Sequence, residues 1–158
     1  MTICRQWAWK PNDRLKPLEE CIHILVQTAG GDGNLLLNVG PMPDGRIEPR
    51  QVERLREIGA WLKVNGESIY GTRGGPFRPG KWGVSTHKDD KIYVHVLEWD
   101  GEKVELPELD KKIVSATLMD GSTVSYEQQP DSLVLTLEKN RQDAIDTIVV
   151  LTHKDVTE

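Results

Sequence analysis

The glycine-rich stretch at residues 30–45 constrains the fold of this chain more than any other segment. A glycine cluster ends one helical pattern, a short apolar run occupies residues 34–39, and glycine and proline turns follow before a second helical pattern begins at Pro49. Helix, buried strand and helix in succession form one step of an α/β layer or barrel. The stretch therefore predicts a strand at 34–39 that is backed by helices.

Apolar spacing predicts the two flanking helices. The first has one continuous apolar face and ends at the glycines. The second runs from about Pro49 to Lys63, with a glycine cap just beyond it. The predicted apolar face of the first helix consists of Leu18, Ile22, Leu25, Val26 and Ala29, and that of the second of Val52, Leu55, Ile58, Gly59 and Leu62, with Trp61 at its margin.

The predicted strand has two different faces. Leu35, Leu37 and Val39 share one parity and are expected to pack on helices, whereas Asn38 shares the other and is expected to face a barrel interior or a crevice. Asn38 also ends the strand, and the carboxyl ends of strands are where α/β proteins bind ligands. Asn38 is therefore a candidate ligand-binding residue. The alternative is an asparagine that satisfies the backbone of its own turn.

The composition changes near residue 77. Residues 73–81 are rich in glycine and proline, and the helical period disappears after them. The sequence predicts two units, 1–76 and 77–158, of which the second is an antiparallel sheet or sandwich. The overall fold class is thus α/β plus all-β. Strands are predicted at 82–86, 92–99, 103–106, 113–118, 123–128, 133–137 and 148–152.

Composition excludes several classes of partner and site. The 158-residue chain carries a net charge of −5, which argues against nucleic acid or an anionic membrane as a partner. No apolar run approaches the ~18 residues of a membrane span, and the N-terminus lacks the pattern of a signal peptide. Cys4 and Cys21 are expected to be free thiols, and the four histidines lack metal-ligand spacing, so no metal site is predicted.

The first unit is expected to be incomplete by itself. One predicted strand with two helices offers no parallel neighbour for that strand and does not cover both of its faces. We therefore expect exposed apolar surface at Ile22, Leu25, Leu35 and Leu37, and self-association or a rearrangement that buries it.

Three ordered segments identify a family. They are Gly-Asn-Leu-Leu-Leu-Asn-Val-Gly-Pro from Gly33, Asp-Gly-Arg-Ile from Asp44, and Arg-Leu-Arg-Glu-Ile-Gly-Ala-Trp-Leu-Lys-Val-Asn-Gly-Glu-Ser-Ile-Tyr-Gly-Thr from Arg54. In this order they resemble the α-L-fucosidases of glycoside hydrolase family 29. The resemblance covers residues 2–77 strongly and continues more loosely beyond them. It implies the last repeat of a (β/α)8 catalytic barrel followed by the family's C-terminal β-sandwich, and so a C-terminal fragment of the whole enzyme.

The resemblance also implies a chemistry. The family removes terminal α-L-fucose from glycans or glycosides with retention, which requires a nucleophile and an acid/base carboxyl group about 5–5.5 Å apart. The family's Asp and Glu lie upstream of the matched region, so no catalytic residue is predicted in this chain, and the chain alone is predicted to be inactive. Asp32 and Asp44 are assigned to turns instead. The resemblance implies no metal and no cofactor.

Trp7 is the second candidate substrate-binding residue. Trp7-Ala8-Trp9 matches an aromatic-Gly-aromatic segment of the family, whose first aromatic lies against fucose near its methyl group. An aromatic face suits the C–H-rich surface of a 6-deoxysugar. Ala8 departs from the usual glycine, and core packing is the alternative for this tryptophan pair.

The expected partners are therefore fucosylated glycans or glycosides and the missing N-terminal portion of the barrel. Members of the family are often secreted, periplasmic or lysosomal, and the compartment of this chain stays open. A different class of function is a stand-alone accessory module in which the β-sandwich binds carbohydrate. Its exposed aromatics would be Tyr93, Trp99 or Tyr126.

Overall fold

Both predicted helices form in the computed structural model, which describes residues 1–155. Helix α1 spans Leu18–Gly30 and has Glu19 and Glu20 in its first turn, where carboxylates favour the helix dipole. Helix α2 spans Pro49–Asn65 and begins with its proline, which needs no hydrogen-bond acceptor there. Among the described residues, no helix combines the length and apolarity that crossing a bilayer requires.

The predicted apolar stripe of α2 is displaced around the helix. Gln51 and Ile58 are the buried residues of α2, while Leu55 is 36% exposed and Gly59 is exposed. Trp61, predicted at the margin, packs with Ile58 against α1. The reason is that Gln51 is polar but buried, since its side chain accepts a backbone hydrogen bond there. A pattern of apolar residues in the sequence does not reveal such a position.

The prediction of a β-strand at 34–39 was wrong. This segment is extended, and within residues 1–155 it forms a single parallel bridge, Thr2 to Asn38. The Ile3 N–H donates to the Asn38 carbonyl, and the Asn38 N–H donates to the Met1 carbonyl, both at 2.9 Å. The expectation that the unit holds no parallel neighbour was therefore also wrong, because the start of the chain supplies one. A ladder does not develop because this neighbour is only a few residues long.

The expected alternation of that segment is present. Leu36 is 77% exposed, while Leu35, Leu37 and Val39 are half-buried. Ile22, by contrast, is fully buried within the chain, so the expectation that it would be exposed was wrong. The exposed apolar surface of this unit lies instead mainly on Trp7, Leu36, Val64 and Tyr70.

The second half of the described chain is an antiparallel two-sheet structure, as predicted. A five-stranded sheet has the order β1-β2-β3-β8-β5, and a three-stranded sheet has the order β4-β7-β6. Every pairing within these sheets is antiparallel. The strands are β1 Arg73–Gly74, β2 Gly83–Lys88, β3 Lys91–Val96, β4 Lys103–Pro107, β5 Lys111–Leu118, β6 Ser125–Gln128, β7 Ser132–Thr136 and β8 Thr147–Asp155.

The five-stranded sheet is covered on both faces. Ile92, Val94 and Val96 of β3 point into a core shared with the three-stranded sheet. Alternate residues point the other way, and Val84 and Leu97 join a second core with α1 and α2. An antiparallel sheet often leaves one face in water, whereas here a helical layer occupies that face.

Polar contacts attach the helical layer to this sheet. The His23 ring Nε2–H of α1 donates to the Ile145 carbonyl at 2.7 Å. The Tyr93 hydroxyl of β3 donates to the Glu67 carboxylate at 2.7 Å, and the Thr86 hydroxyl of β2 donates to the Ser68 carbonyl at 2.6 Å. Glu67 and Ser68 belong to a 3-10 turn, Gly66–Ser68, directly after α2. The two layers are therefore joined by directed bonds as well as by apolar burial.

Candidate functional site

The candidate site lies where two parallel backbone segments end. Residues 1–3 and 36–38 run in the same direction, and their carboxyl ends lead into two loops, residues 5–14 and 39–48. In α/β folds, ligands bind at this edge because loops from neighbouring strands converge there. The local geometry therefore selects these two loops.

The structure brings the two predicted site residues together. The Asn38 side-chain Nδ2 donates to the Trp7 backbone carbonyl at 2.8 Å. Asn38 thus does not cap its own turn, which was the alternative interpretation, but bonds to a loop 31 residues away. The Trp7 side chain is 76% exposed, so core packing does not explain it.

Asp13 organises the loop that carries Trp7. It is only 8% exposed although it lies in an otherwise open loop. Its Oδ2 accepts from the Gln6 N–H at 2.7 Å and its Oδ1 from the Arg14 N–H at 2.9 Å. These backbone donors, Gln6 foremost, lower the pKa of Asp13. The Arg5 N–H closes the loop by donating to the Arg14 carbonyl at 3.0 Å.

The second loop packs directly against the backbone of the first. A Cβ atom at Gly40 would lie 2.5 Å from the Trp9 backbone nitrogen, so only glycine allows this close approach. The Gly40 N–H donates to the buried Gln51 Oε1 at 3.2 Å. Helix α2 therefore fixes the second loop, and the second loop in turn limits where Trp9 can lie.

Arg50, in the first turn of α2, connects both loops. It pairs with the Glu48 carboxylate at 2.5 Å, and its two terminal nitrogens lie 3.4 Å from the Asp13 carbonyl. The guanidinium is the main reason that the pKa of Glu48 is lowered. Glu48 and Asp13 are therefore ionised hydrogen-bond acceptors with structural partners. Neither is a carboxylic acid ready to donate a proton.

Sequence reasoning missed this set of supporting residues. Asp13, Arg50 and Gln51 contact the Trp7 loop or its neighbour, and none was singled out from the sequence. The turn signal Pro11-Asn12-Asp13 was the only available sign, since an aspartate in a turn commonly accepts backbone N–H groups. Which distant loop it supports depends on the fold.

The two glycine-turn aspartates have different partners: Asp44 binds within its own turn, whereas Asp32 binds residues about 40 positions away. Asp32 accepts from the Arg73 guanidinium, with Nε–H to Oδ1 at 2.8 Å, and from the Gly74 N–H at 3.1 Å. Asp44 accepts from the side chain and the backbone of Arg46. These arginine side chains are the main reason that the pKa of each carboxyl group is lowered.

A separate cleft of about 490 Å³ lies at the other end of the 34–39 segment. Leu25, Leu35 and Tyr70 line its apolar part, and Asp32 and Arg73 line its polar part. This is the amino end of the segment, away from Trp7. It is therefore distinct from the loop pair that holds the two predicted residues.

Comparisons with known proteins identify relatives of this chain. A family model described as alpha-L-fucosidase matches residues 1–67. The alpha-L-fucosidase of Branchiostoma floridae is 44% identical over 110 residues, which cover 63% of this chain and 24% of that protein. The plasma alpha-L-fucosidase of Homo sapiens is 42% identical over 87 residues, which cover 52% of this chain and 19% of that protein. The chain spans a quarter or less of these curated relatives.

Solved structures are similar over nearly the whole chain. Alpha-L-fucosidase isoenzyme 1 from Paenibacillus thiaminolyticus matches with a TM-score of 0.88 and 31% identity, covering 98% of this chain and 39% of that one. The Thermotoga maritima alpha-fucosidase in complex with fucose matches with a TM-score of 0.82 and 28% identity, covering 96% of this chain and 38% of that one. The likeness therefore includes both the helical layer and the two sheets.

Proposed function

We propose that this chain, which resembles the C-terminal part of the α-L-fucosidases of glycoside hydrolase family 29, supplies the closing unit and the supporting β-domain of a retaining α-L-fucosidase. Residues 1–76 would form the last part of its (β/α)8 barrel and residues 77–158 its β-sandwich. The assembled enzyme would hydrolyse terminal α-L-fucose from glycans or glycosides. The observation that carries this proposal is the parallel bridge between residues 2 and 38, with Trp7 and Asn38 at its carboxyl end.

Trp7 and Asn38 are the proposed substrate-site residues. The exposed Trp7 indole offers a flat apolar surface to the C–H-rich face of the sugar, and Asn38, at the adjacent strand end, binds the Trp7 carbonyl. Asp13 and Glu48, the buried or half-buried carboxylates beside them, already bind backbone and Arg50. The nucleophile and the acid/base would therefore come from the rest of the barrel, and this chain alone would be inactive.

The proposed barrel partner fits the open side of the 34–39 segment. Its bonds to residues 1–3 involve Leu36 and Asn38 on one edge. The alternate residues 35, 37 and 39 present their backbone groups to the other edge, where a further parallel strand would pair. Exposed Leu36 would then be covered by the barrel interior or by neighbouring loops.

The test is a chimera of this chain with the upstream catalytic region of a related fucosidase. The chain alone is expected to leave 4-nitrophenyl α-L-fucoside unhydrolysed, and the chimera is expected to hydrolyse it. Trp7→Ala in the chimera is expected to lower kcat/KM at least about fivefold, since an aromatic contact contributes roughly 1 kcal/mol beyond its area. Turnover by the chain alone would overturn the proposed division of labour. The coding sequence upstream of Met1 gives an independent check, because it should encode the remaining barrel with its Asp and Glu.

The alternative function is an accessory carbohydrate-binding module. Tyr93 no longer supports it, because this side chain is 1% exposed and bonded to Glu67. A cleft of about 380 Å³ between Trp82 and Trp99 is the observation in its favour. A truncated chain of residues 78–158 that still bound a glycan would favour this alternative. The helical layer covering one sheet face argues against it.

A further inference from the structure

The exposure of Trp7 requires an explanation. A free loop would be expected to fold so large an apolar side chain against the protein, because removing apolar surface from water is favourable. Trp7 instead stays 76% exposed, whereas Trp9, two residues later, is half-buried. Contacts of the backbone on both sides of Trp7 must therefore hold this side chain in its exposed position.

Two residues hold the backbone on either side of the Trp7 side chain. The buried Asp13 carboxylate binds the Gln6 N–H at 2.7 Å, immediately before Trp7. The Asn38 amide donates to the Trp7 carbonyl at 2.8 Å, immediately after its side chain. The Arg5–Gln6 and Trp7–Ala8 peptide groups, which flank residues 6 and 7, thus each have a fixed partner.

Asn38 is itself fixed by its own backbone. Its N–H donates to the Met1 carbonyl and its carbonyl accepts from the Ile3 N–H, both at 2.9 Å. Its side chain cannot follow a moving loop without leaving this bridge. Since Nδ2 is already bonded to Trp7, Asn38 is better placed to orient the Trp7 loop than to move toward a ligand.

We propose that Asn38 is a positioning residue, which together with Asp13 holds loop 5–14 so that the Trp7 indole stays presented at the site. This inference rests on the proposed function only for what Trp7 is presented to. The geometry that carries it belongs to this chain alone. Asn38 acts on the site through Trp7, and the interaction requires a hydrogen-bond donor at the end of the side chain.

The experiment uses the full chain labelled with 5-fluorotryptophan. Trp7→Phe identifies the Trp7 resonance in the fluorine NMR spectrum, and hydrogen exchange follows the Gln6 amide. Asn38→Ala and Asn38→Asp both remove the donor at pH 7. In both variants, the Trp7 resonance is expected to become narrower and to shift toward the chemical shift of a fully solvated indole. The exchange rate of the Gln6 amide is expected to rise about fivefold, the effect of one lost hydrogen bond. Leu36→Ala is the matched control, because Leu36 lies on the same segment and is exposed. It is expected to change neither signal.

Acidification separates positioning from a general loss of structure. As the pH falls from 7 to about 4, the carboxyl group in Asn38→Asp takes up a proton and can donate to the Trp7 carbonyl again. The Trp7 resonance of Asn38→Asp is then expected to return toward that of the original chain, whereas that of Asn38→Ala is not. The neighbouring charged groups are Asp13, Glu48, Arg50 and the Met1 ammonium, which donates to the Leu36 carbonyl. The lowered pKa of Asp13 and of Glu48 keeps both carboxyl groups ionised over most of this range.

The proposal is overturned if both Asn38 variants leave the Trp7 resonance and Gln6 exchange unchanged at pH 7. It is also overturned if Asn38→Asp shows no recovery on acidification while circular dichroism shows the chain folded. Neither readout involves a sugar or a catalytic rate. An inactive chimera would therefore count against the proposed function and leave this inference intact.

Discussion

The helical layer and the two-sheet layer bury their apolar side chains to very different extents. Among the described residues, five of the seven exposed large apolar side chains belong to residues 1–72, and the other two, Val114 and Tyr126, belong to the sheets. The larger core cluster lies between the two sheets, while the helical layer shares a smaller cluster with β2. The difference teaches that the sheets supply most of their own core, whereas the helical layer depends on surfaces beyond its own residues.

The largest expected effect tests where stability resides. Leu135 and Ile22 are both fully buried, the first between the sheets and the second on α1. Leu135→Ala is expected to cost about 3–4 kcal/mol and to unfold the whole chain more readily, because the cavity lies in the main core. Ile22→Ala is expected to raise amide exchange in α1 and α2 without a matching rise in β7. Urea unfolding combined with hydrogen exchange measures both, and equal effects on both layers would remove the distinction.

The next expected effect concerns a buried polar pair of the five-stranded sheet. His95 of β3 is fully buried, and its Nδ1–H donates to the Asp146 Oδ2 at 2.7 Å. Asp146→Asn removes the charge and weakens this bond, with an expected cost of about 1–2 kcal/mol in the free energy of unfolding. Asp131→Asn, in an exposed turn, is the control. A cost no greater than that of the control would mean that the pair contributes no net stability.

A smaller effect is expected on self-association. We propose that the open side of the helical layer associates weakly with a second copy, because Leu36 is 77% exposed beside an unpaired backbone edge. Leu36→Lys is expected to weaken that association about tenfold in sedimentation experiments at micromolar concentration. Val114→Lys places the same charge on the sheet layer, at a side chain that is 40% exposed, and is expected to leave association unchanged. A strictly monomeric chain would contradict the proposal.

The smallest expected effect is a pH dependence at Glu67. Its carboxylate accepts from Lys91 Nζ and from the Tyr93 hydroxyl, both at 2.7 Å, and these bonds lower its pKa, with Lys91 the main cause. A lowered pKa in the folded chain means that its stabilisation is present above about pH 4.3 and is lost as the pH falls further. The side chain is 54% exposed, so screening limits the contribution to about 0.5 kcal/mol. Glu67→Gln is expected to reduce the loss of unfolding free energy between pH 7 and 3 by about 0.5 kcal/mol. The assignment is rejected if the unfolding midpoint of this variant depends on pH as that of the original chain does.

The sequence predicted the sheets better than the helical layer, and the physical reason is locality. Hairpin turns and alternating apolar residues lie within a few positions of each other, so β3 and β7 appeared close to their predicted bounds. β1 was missed because its two residues pair only where Gly74 passes close to the Gly30 backbone. The 34–39 segment was predicted as a strand because its composition suits one, but strand formation depends on neighbours that are distant in sequence.

The residues of the candidate site also fall into two groups, those that the sequence predicts and those that depend on distant contacts. Trp7 and Asn38 were found from motif and periodicity, and their contact follows from the parallel approach of residues 2 and 38. Asp13 and Gln51 could not be assigned, because their partners are backbone groups whose positions the sequence does not specify. Whether Trp7 and Asn38 contact substrate stays a prediction.

Strand β3 has a consequence for how this chain can diverge. Of its odd-numbered side chains, Tyr93 bonds to Glu67 of the helical layer and His95 bonds to Asp146, while the even-numbered Ile92 and Val94 contact the other sheet. Side chains on both faces of the strand therefore make packing or hydrogen-bond contacts, and substitutions on neither face are expected to be neutral. Recombination between related genes that exchanged either layer alone would bring one foreign surface against β3. The two halves of the chain are therefore expected to be inherited together, although their amino-acid compositions suggest separable pieces.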